Sequence, residues 1–148
     1  MQYVDTSVLV AYLVPETYSA LAIQVMCEIH RKPLAISVWT ETEFFSALGI
    51  KLRTQQLNEE DAQRVQERYQ LLKSMFVWLP VTDKDYHTAT HFIKHWQTGL
   101  RAGDALHLAI AANHNSLLLS LDERLVKAAN TLNIPAEWLR ATQKDNSC

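Results

Sequence analysis

Apolar positions along the chain fall into short runs and helical stripes that alternate from end to end. Gln2–Val4 is a short β-capable run stopped by Asp5, and residues 6–14 ("TSVLVAYLV") read as a short helix that ends at Pro15. A second helix starts at Pro15 or Glu16, where proline suits a first turn, and extends to about His30. Residues 33–38 ("PLAISV") form a branched apolar run and predict a strand; from Thr40 to about Arg53, Phe44, Ala47, Leu48 and Leu52 recur at helical spacing. Asn58 is placed to cap a helix with an acidic first turn and a stripe of Ala62, Val65, Tyr69, Leu72 and Phe76.

Residues 76–81 ("FVWLPV") predict a third strand. Thr82 or Asp83 caps the next helix, whose apolar stripe is expected at Tyr86, Ala89, Ile93 and Trp96, with Trp78 and Trp96 in the core. Asp104 heads a helix that is apolar nearly all round, from Ala105 to Ala112. Residues 116–121 ("SLLLSL") predict a strand that Asp122 ends; a helix through Leu125, Val126 and Ala129 follows, and a last strand lies near Ala136–Leu139. Strands alternating with helices predict an α/β fold, a short parallel sheet flanked by helices on both faces in three α/β/α layers. One domain over residues 1–139 and a polar tail over 140–148 account for the chain.

Composition adds few constraints. With 148 residues, 48% of them hydrophobic and 20% charged, the chain suits one ordinary globular domain. The formal net charge of −2 gives no electrostatic signature of nucleic-acid binding and does not exclude a local basic rim. Cys27 and Cys148 form no metal-binding pair and read as free thiols of a reducing, cytoplasmic setting. No signal-peptide or membrane-spanning pattern is present. Gly49, Gly99 and Gly103 build neither a P-loop nor a dinucleotide fingerprint, so no nucleotide cofactor is expected.

The chemistry lies in the acids. In an open parallel sheet, ligands gather beyond the carboxyl ends of the strands. Asp5 and Asp122 each follow a strand, Glu43 lies in the first turn of the helix after the second strand, and Asp104 opens its own helix. All four are expected at one edge. Carboxylates sharing a cleft repel one another unless compensated, and a hard divalent cation such as Mg²⁺ or Mn²⁺ suits an all-carboxylate donor set. Phosphodiester hydrolysis by a metal-activated water is the matching reaction class. Each acid also has a plainer reading. Thr40-x-x-Glu43 matches a capping box, Asp104 complements a helix dipole, and Asp5 and Asp122 suit turns.

Smaller signals remain open in the same way. Arg101 is placed either to pair with Asp104 or to hold a phosphate. Trp39 is placed either to stack on a base or to pack in the core. His107, one turn beyond Asp104, reads as a hydrogen-bonded core histidine. His87, His91 and His95 recur at helical spacing but fall away from the apolar stripe, so a solvated face is favoured over zinc.

Four segments, "YVDTSVLVAYL", "SVWTETEFFSAL", "LRAGDALHLAIA" and "LLLSLDERLVKAA", resemble in order and spacing the acidic motifs of PIN-domain nucleases, most of all the VapC-type toxins of toxin–antitoxin pairs. The resemblance spans about residues 1–135. It implies a PIN-like fold and metal-dependent endoribonuclease activity, with Asp5, Glu43, Asp104 and Asp122 as the catalytic acids around Mg²⁺ or Mn²⁺. Asp5 and Asp104 rank first as metal ligands, and Glu43 is the member expected to act at one remove. Ser7 and Ser120 fall where the family often carries a hydroxyl close to the acids, positioned for a hydrogen bond to a ligand or a phosphate. The resemblance further implies an RNA substrate, a homodimer, a small antitoxin partner that covers the cleft, and no membrane association. Two alternatives stand beside it: a PIN nuclease of RNA processing or of DNA with no antitoxin, and a module that binds RNA or protein without cutting.

Overall fold

The computed structural model describes residues 1–15, 19–27 and 31–140. The ends of the second expected helix (16–18 and 28–30) and the polar tail from 141 onward lie outside the described residues. The elements run β1 (Gln2–Val4), α1 (Thr6–Leu13), α2 (Ser19–Cys27), β2 (Leu34–Ser37), α3 (Val38–Arg53), α4 (Glu59–Leu72), β3 (Val77–Leu79), α5 (Asp83–Ile93), α6 (Ala102–Asn113), β4 (Leu117–Ser120), α7 (Glu123–Thr131) and β5 (Ala136–Trp138). The five strands form one parallel sheet in the order β3-β2-β1-β4-β5. The α/β/α layering expected from the alternation is therefore present.

The sheet divides the core in two. Val4, Leu34, Ile36 and Leu119 face α1, α2, α3 and α4, whereas Tyr3, Ala35 and Leu118 face α5, α6 and α7. Each central strand is covered on both sides, which explains why these short segments read as continuous apolar runs rather than alternating ones. Residues 105–111 of α6 are buried without a break, as its composition predicts. Alanine at 105, 109 and 111 keeps that helix slim enough to lie between the sheet and α5.

Helix ends follow local chemistry. Asn58 Oδ1 accepts from the Asp61 N–H at 2.7 Å and caps α4 as expected. By contrast, α3 begins at Val38 rather than Thr40, and its capping box joins Ser37 to Thr40. Glu43 is thus released from the capping role that the Thr40-x-x-Glu43 spacing allowed.

Three aromatic assignments need correction. Tyr86 is 54% and Trp96 83% exposed, and Trp78 on the edge strand β3 is 37% exposed. The inward face of α5 carries Asp85 and Ala89, which rotates the expected stripe by about one residue. Asp85 turns in because its Oδ2 accepts from the Thr82 N–H at 2.7 Å and its Oδ1 from the Asn113 side-chain amide at 2.7 Å, tying the start of α5 to the end of α6. Trp96 falls past the end of α5 in a short 3₁₀ turn, Trp96–Thr98, where helical spacing no longer applies.

Candidate active site

Asp5 follows β1 directly and serves as N-cap of α1, so one residue ends a strand and opens a helix. Its carboxylate is 4% exposed and fully engaged: Oδ1 accepts from Ser7 Oγ at 2.5 Å and the Val8 N–H at 3.3 Å, and Oδ2 accepts from Ser120 Oγ at 2.5 Å. Both serine hydroxyls accept in turn from the turn after β4, Ser7 from the Leu121 N–H at 3.0 Å and Ser120 from the Asp122 N–H at 2.9 Å. Ser7 and Ser120 therefore clasp Asp5 and fix the ends of β1 and β4 to each other. Burial pushes the Asp5 carboxyl above the usual carboxylate range, against the pull of the His107 charge and these hydrogen bonds.

Glu43 reaches the same edge from the second turn of α3. Its Oε2 accepts from Thr6 Oγ1 at 2.8 Å and faces His107 Nε2 at 2.5 Å. Burial works against its ionisation, but the His107 hydrogen bond and charge and the Thr6 hydroxyl outweigh it and hold the carboxyl below its ordinary value. Its other oxygen lies over the first turn of α6: a Cβ added to Gly103 would sit 2.6 Å from Glu43 Oε1 and 3.4 Å from Trp39 Cζ2. Only glycine leaves that approach open.

His107 is 2% exposed and is the hydrogen-bonded core histidine that its place in α6 predicts. Nδ1 lies 2.8 Å from the Tyr3 hydroxyl, which also meets Ser37 Oγ at 2.9 Å and Thr40 Oγ1 at 3.0 Å. His107 thus links the Tyr3 hydroxyl at Nδ1 to the Glu43 carboxylate at Nε2. Burial drives the Tyr3 phenol far above its ordinary pKa, so it remains a hydroxyl at any working pH. Tyr3, Thr6, Ser37, Thr40 and Gly103 were not among the expected site residues. The available signal was polar side chains on otherwise buried positions, which must find partners.

Asp104 is half-buried in the first turn of α6, and no described residue donates a hydrogen bond to its carboxylate. Burial raises its pKa, and the negative charges of Asp122, Glu43 and Asp5 raise it further against the opposing His107. Asp122 is exposed and caps α7, its Oδ1 accepting from the Arg124 and Leu125 N–H groups at 2.8 and 3.4 Å. Arg101, the residue before α6, is exposed and forms no ion pair with Asp104. Trp39 is half-buried, with its indole N–H donating to the Gly103 carbonyl at 3.3 Å. His87 and His91 lie on the exposed face of α5.

The four acids thus share one electrostatic neighbourhood at the carboxyl edge of the sheet, ringed by the N-termini of α1, α3, α6 and α7. Among the described residues, no three His, Cys, Asp or Glu side chains are gathered closely enough to hold a metal ion as they stand. Like charges at this range repel, and drawing them onto one point requires a counter-charge. Hard oxygen donors and one half-buried carboxylate without a partner among the described residues fit Mg²⁺ or Mn²⁺ by chemistry.

Comparison with known proteins agrees with this layout. A family model described as PIN domain matches residues 2–130. No curated protein sequence matches the chain. Among solved structures, VapBC2 from Rickettsia felis bound to a DNA fragment from their promoter is similar with a TM-score of 0.70 at 17% identity, covering 95% of this chain and 100% of that one. FitAcB from Neisseria gonorrhoeae gives 0.67 at 17% identity, covering 92% and 96% of the two chains. PAE2754 from Pyrobaculum aerophilum gives 0.60 at 22% identity, with 86% of each chain covered. Identities this low speak for the fold, and the family model, spanning most of the sequence, settles the membership: the chain belongs to the PIN-domain family.

Proposed function

We propose that this protein is a metal-dependent endoribonuclease that hydrolyses RNA phosphodiester bonds, with Asp5, Glu43, Asp104 and Asp122 as its catalytic acids. PIN domains are generally metal-dependent nucleases, which supplies the reaction class. The observation that carries the reading in this chain is Asp104, a half-buried carboxylate without a hydrogen-bond donor among the described residues, within the field of three other acids. An uncompensated charge in that position is costly, and a cation is the partner that relieves it.

Bound Mg²⁺ or Mn²⁺ would polarise a phosphoryl oxygen and lower the pKa of an attacking water. Asp5, Asp104 and Asp122 present the oxygens that would hold the cation. Ser7 and Ser120 keep Asp5 from turning, and Thr6 and His107 fix one oxygen of Glu43 so that the other faces Gly103. Positive helix N-termini add a fixed field that favours the phosphate. Arg101, exposed just before α6, would meet a phosphate oxygen.

Residues 1–139 serve as one nuclease unit, with 140–148 as a polar extension. The structural likeness to VapBC2 and FitAcB supports a place in a toxin–antitoxin pair. In that setting the chain acts as a cytoplasmic homodimer, and a small partner protein silences it by covering the acids or delivering an arginine to them. Among the described residues, no helix is long and apolar enough to cross a membrane.

The test is cleavage of a structured RNA by purified, partner-free protein with Mg²⁺ or Mn²⁺ and then with EDTA, beside Asp104→Asn. Metal-dependent cutting that vanishes in the variant is expected. RNA binding without cutting in either protein would replace the nuclease by a binding module, and cutting confined to DNA would replace the substrate.

A further inference from the structure

Next to the acids lies a second feature that their chemistry does not use. Trp39, Tyr86, Ala89, Ile93, Gly103 and Leu106 line a cleft of about 210 Å³ between α5, the start of α3 and the start of α6. We propose that this cleft is a nucleobase subsite, where one base of the nucleic acid stacks while its phosphate lies at the acids; the proposal rests on the nuclease reading above.

Three observations lead to a base rather than another occupant. The cleft is small for a drug-sized ligand or a docked helix, and of a size to take a single planar ring. One wall is an aromatic ring held in place: the Trp39 indole N–H is bonded to the Gly103 carbonyl at 3.3 Å, and its ring lies near His107 with centroids 6.4 Å apart. Tyr86, 54% exposed on α5, supplies a second ring at the rim.

The third observation is continuity with the acid site. Gly103 forms part of the cleft wall and also faces Glu43, whose Oε1 would lie only 2.6 Å from a Cβ at that position. A nucleotide carries a charged phosphate joined by one sugar to a flat apolar base. The protein presents a group of acids joined by one glycine to a small, mostly apolar cleft. Because the lining is apolar apart from Thr90, whose hydroxyl already donates to the Tyr86 carbonyl at 2.9 Å, recognition there comes from stacking, which tolerates any base, and not from reading its edges. This assigns Tyr86 a task that explains why its ring stands exposed beside a charged site.

The experiment titrates the full-length wild-type protein in Mg²⁺ with adenosine 5′-monophosphate, adenosine 3′-monophosphate and ribose 5-phosphate. The readout is the indole N–H signals of the four tryptophans, with that of Trp39 assigned through Trp39→Phe. At least one adenosine monophosphate is expected to shift the Trp39 signal and to bind about tenfold or more tighter than ribose 5-phosphate, the advantage that stacking on an aromatic ring supplies. Tyr86→Ala is expected to erase most of that advantage and leave ribose 5-phosphate affinity unchanged.

Equal affinity for ribose 5-phosphate and both nucleotides would overturn the subsite while leaving the nuclease intact. Failure of all three to bind in Mg²⁺ would overturn it too, and RNA cleavage measured alongside tells whether the nuclease reading falls with it. A Trp39 signal that changes with protein concentration alone, together with a dimer in sedimentation that Tyr86→Ala dissociates, would give the cleft to a second copy of this chain.

Discussion

Gly103→Ala is the substitution that separates the site's geometry from its stability. The added Cβ would stand 2.6 Å from Glu43 Oε1. An ordinary carbon–oxygen approach is about 3.3–3.6 Å, so the carboxylate must retreat by about 0.7–1 Å. It cannot do so freely, because its other oxygen is tied to Thr6 at 2.8 Å and to His107 at 2.5 Å. Overpacking of this kind costs about 1–3 kcal/mol, and replacing a helical glycine by alanine returns about 0.5–1 kcal/mol. The net loss is thus about 0–2.5 kcal/mol, a fall in Tm of at most about 10 °C for a domain of this size.

Activity should respond far more than stability. A shift of about 1 Å in a positioned catalytic group costs about 100-fold in rate. Gly49→Ala is the control, since its Cβ meets only the end of the exposed Arg53 side chain, at 3.2 Å. It should leave cleavage unchanged. The assay is metal-dependent RNA cleavage by both variants beside their thermal melts. Wild-type cleavage by a folded Gly103→Ala protein would refute the reasoning, because Glu43 could then move without consequence.

Three further outcomes follow from the site and its supports. Metal-free Asp104→Asn should melt no lower than metal-free wild type, since it removes a charge that three neighbouring acids repel, and it should lose most of the stabilisation that Mg²⁺ or Mn²⁺ gives wild type in the same melt. Tyr3→Phe should cost about 1–3 kcal/mol in urea unfolding, because Ser37, Thr40 and His107 Nδ1 are buried around the lost hydroxyl. Asp85→Ala should cost about 1–3 kcal/mol at neutral pH, combining a lost helix cap with the loss of one of the two acceptors of the Asn113 amide, which keeps Thr88 Oγ1 at 3.3 Å. Burial opposes Asp85 ionisation, but the Asn113 amide, the Thr82 N–H and hydroxyl and the His114 charge outweigh it, so its folded pKa is lowered. Its contribution is therefore complete above the unfolded pKa of about 3.9 and disappears as pH falls through the lower folded value. The gap between wild type and Asp85→Ala should narrow below about pH 4 in urea titrations; a gap of constant size would refute the linkage.

What could be read from the sequence, and what could not, divides along the range of the interactions involved. Asp5, Asp104 and Asp122 announce themselves locally, because each stops an apolar run or opens one, and the parallel topology carries them to one edge. The inward face of α5 lies about one residue from the stripe that apolar spacing predicts because Asp85 faces inward with Asn113, 28 positions away, as its partner. The Tyr3–His107–Glu43 chain is less legible still, since its members lie 104 and 64 residues apart and neither spacing nor periodicity relates them. Yet the same rule underlies both failures. A polar side chain that interrupts a buried run must be satisfied from elsewhere, and at the carboxyl edge of this sheet every such interruption points into one place. Ser7 and Ser120 meet at Asp5; Tyr3 and Thr6 meet at His107; His107 and Thr6 meet at Glu43. Asp104 is the member of this set that the protein leaves unsatisfied by its own described groups, and that asymmetry, more than the count of acids, marks where an external partner belongs.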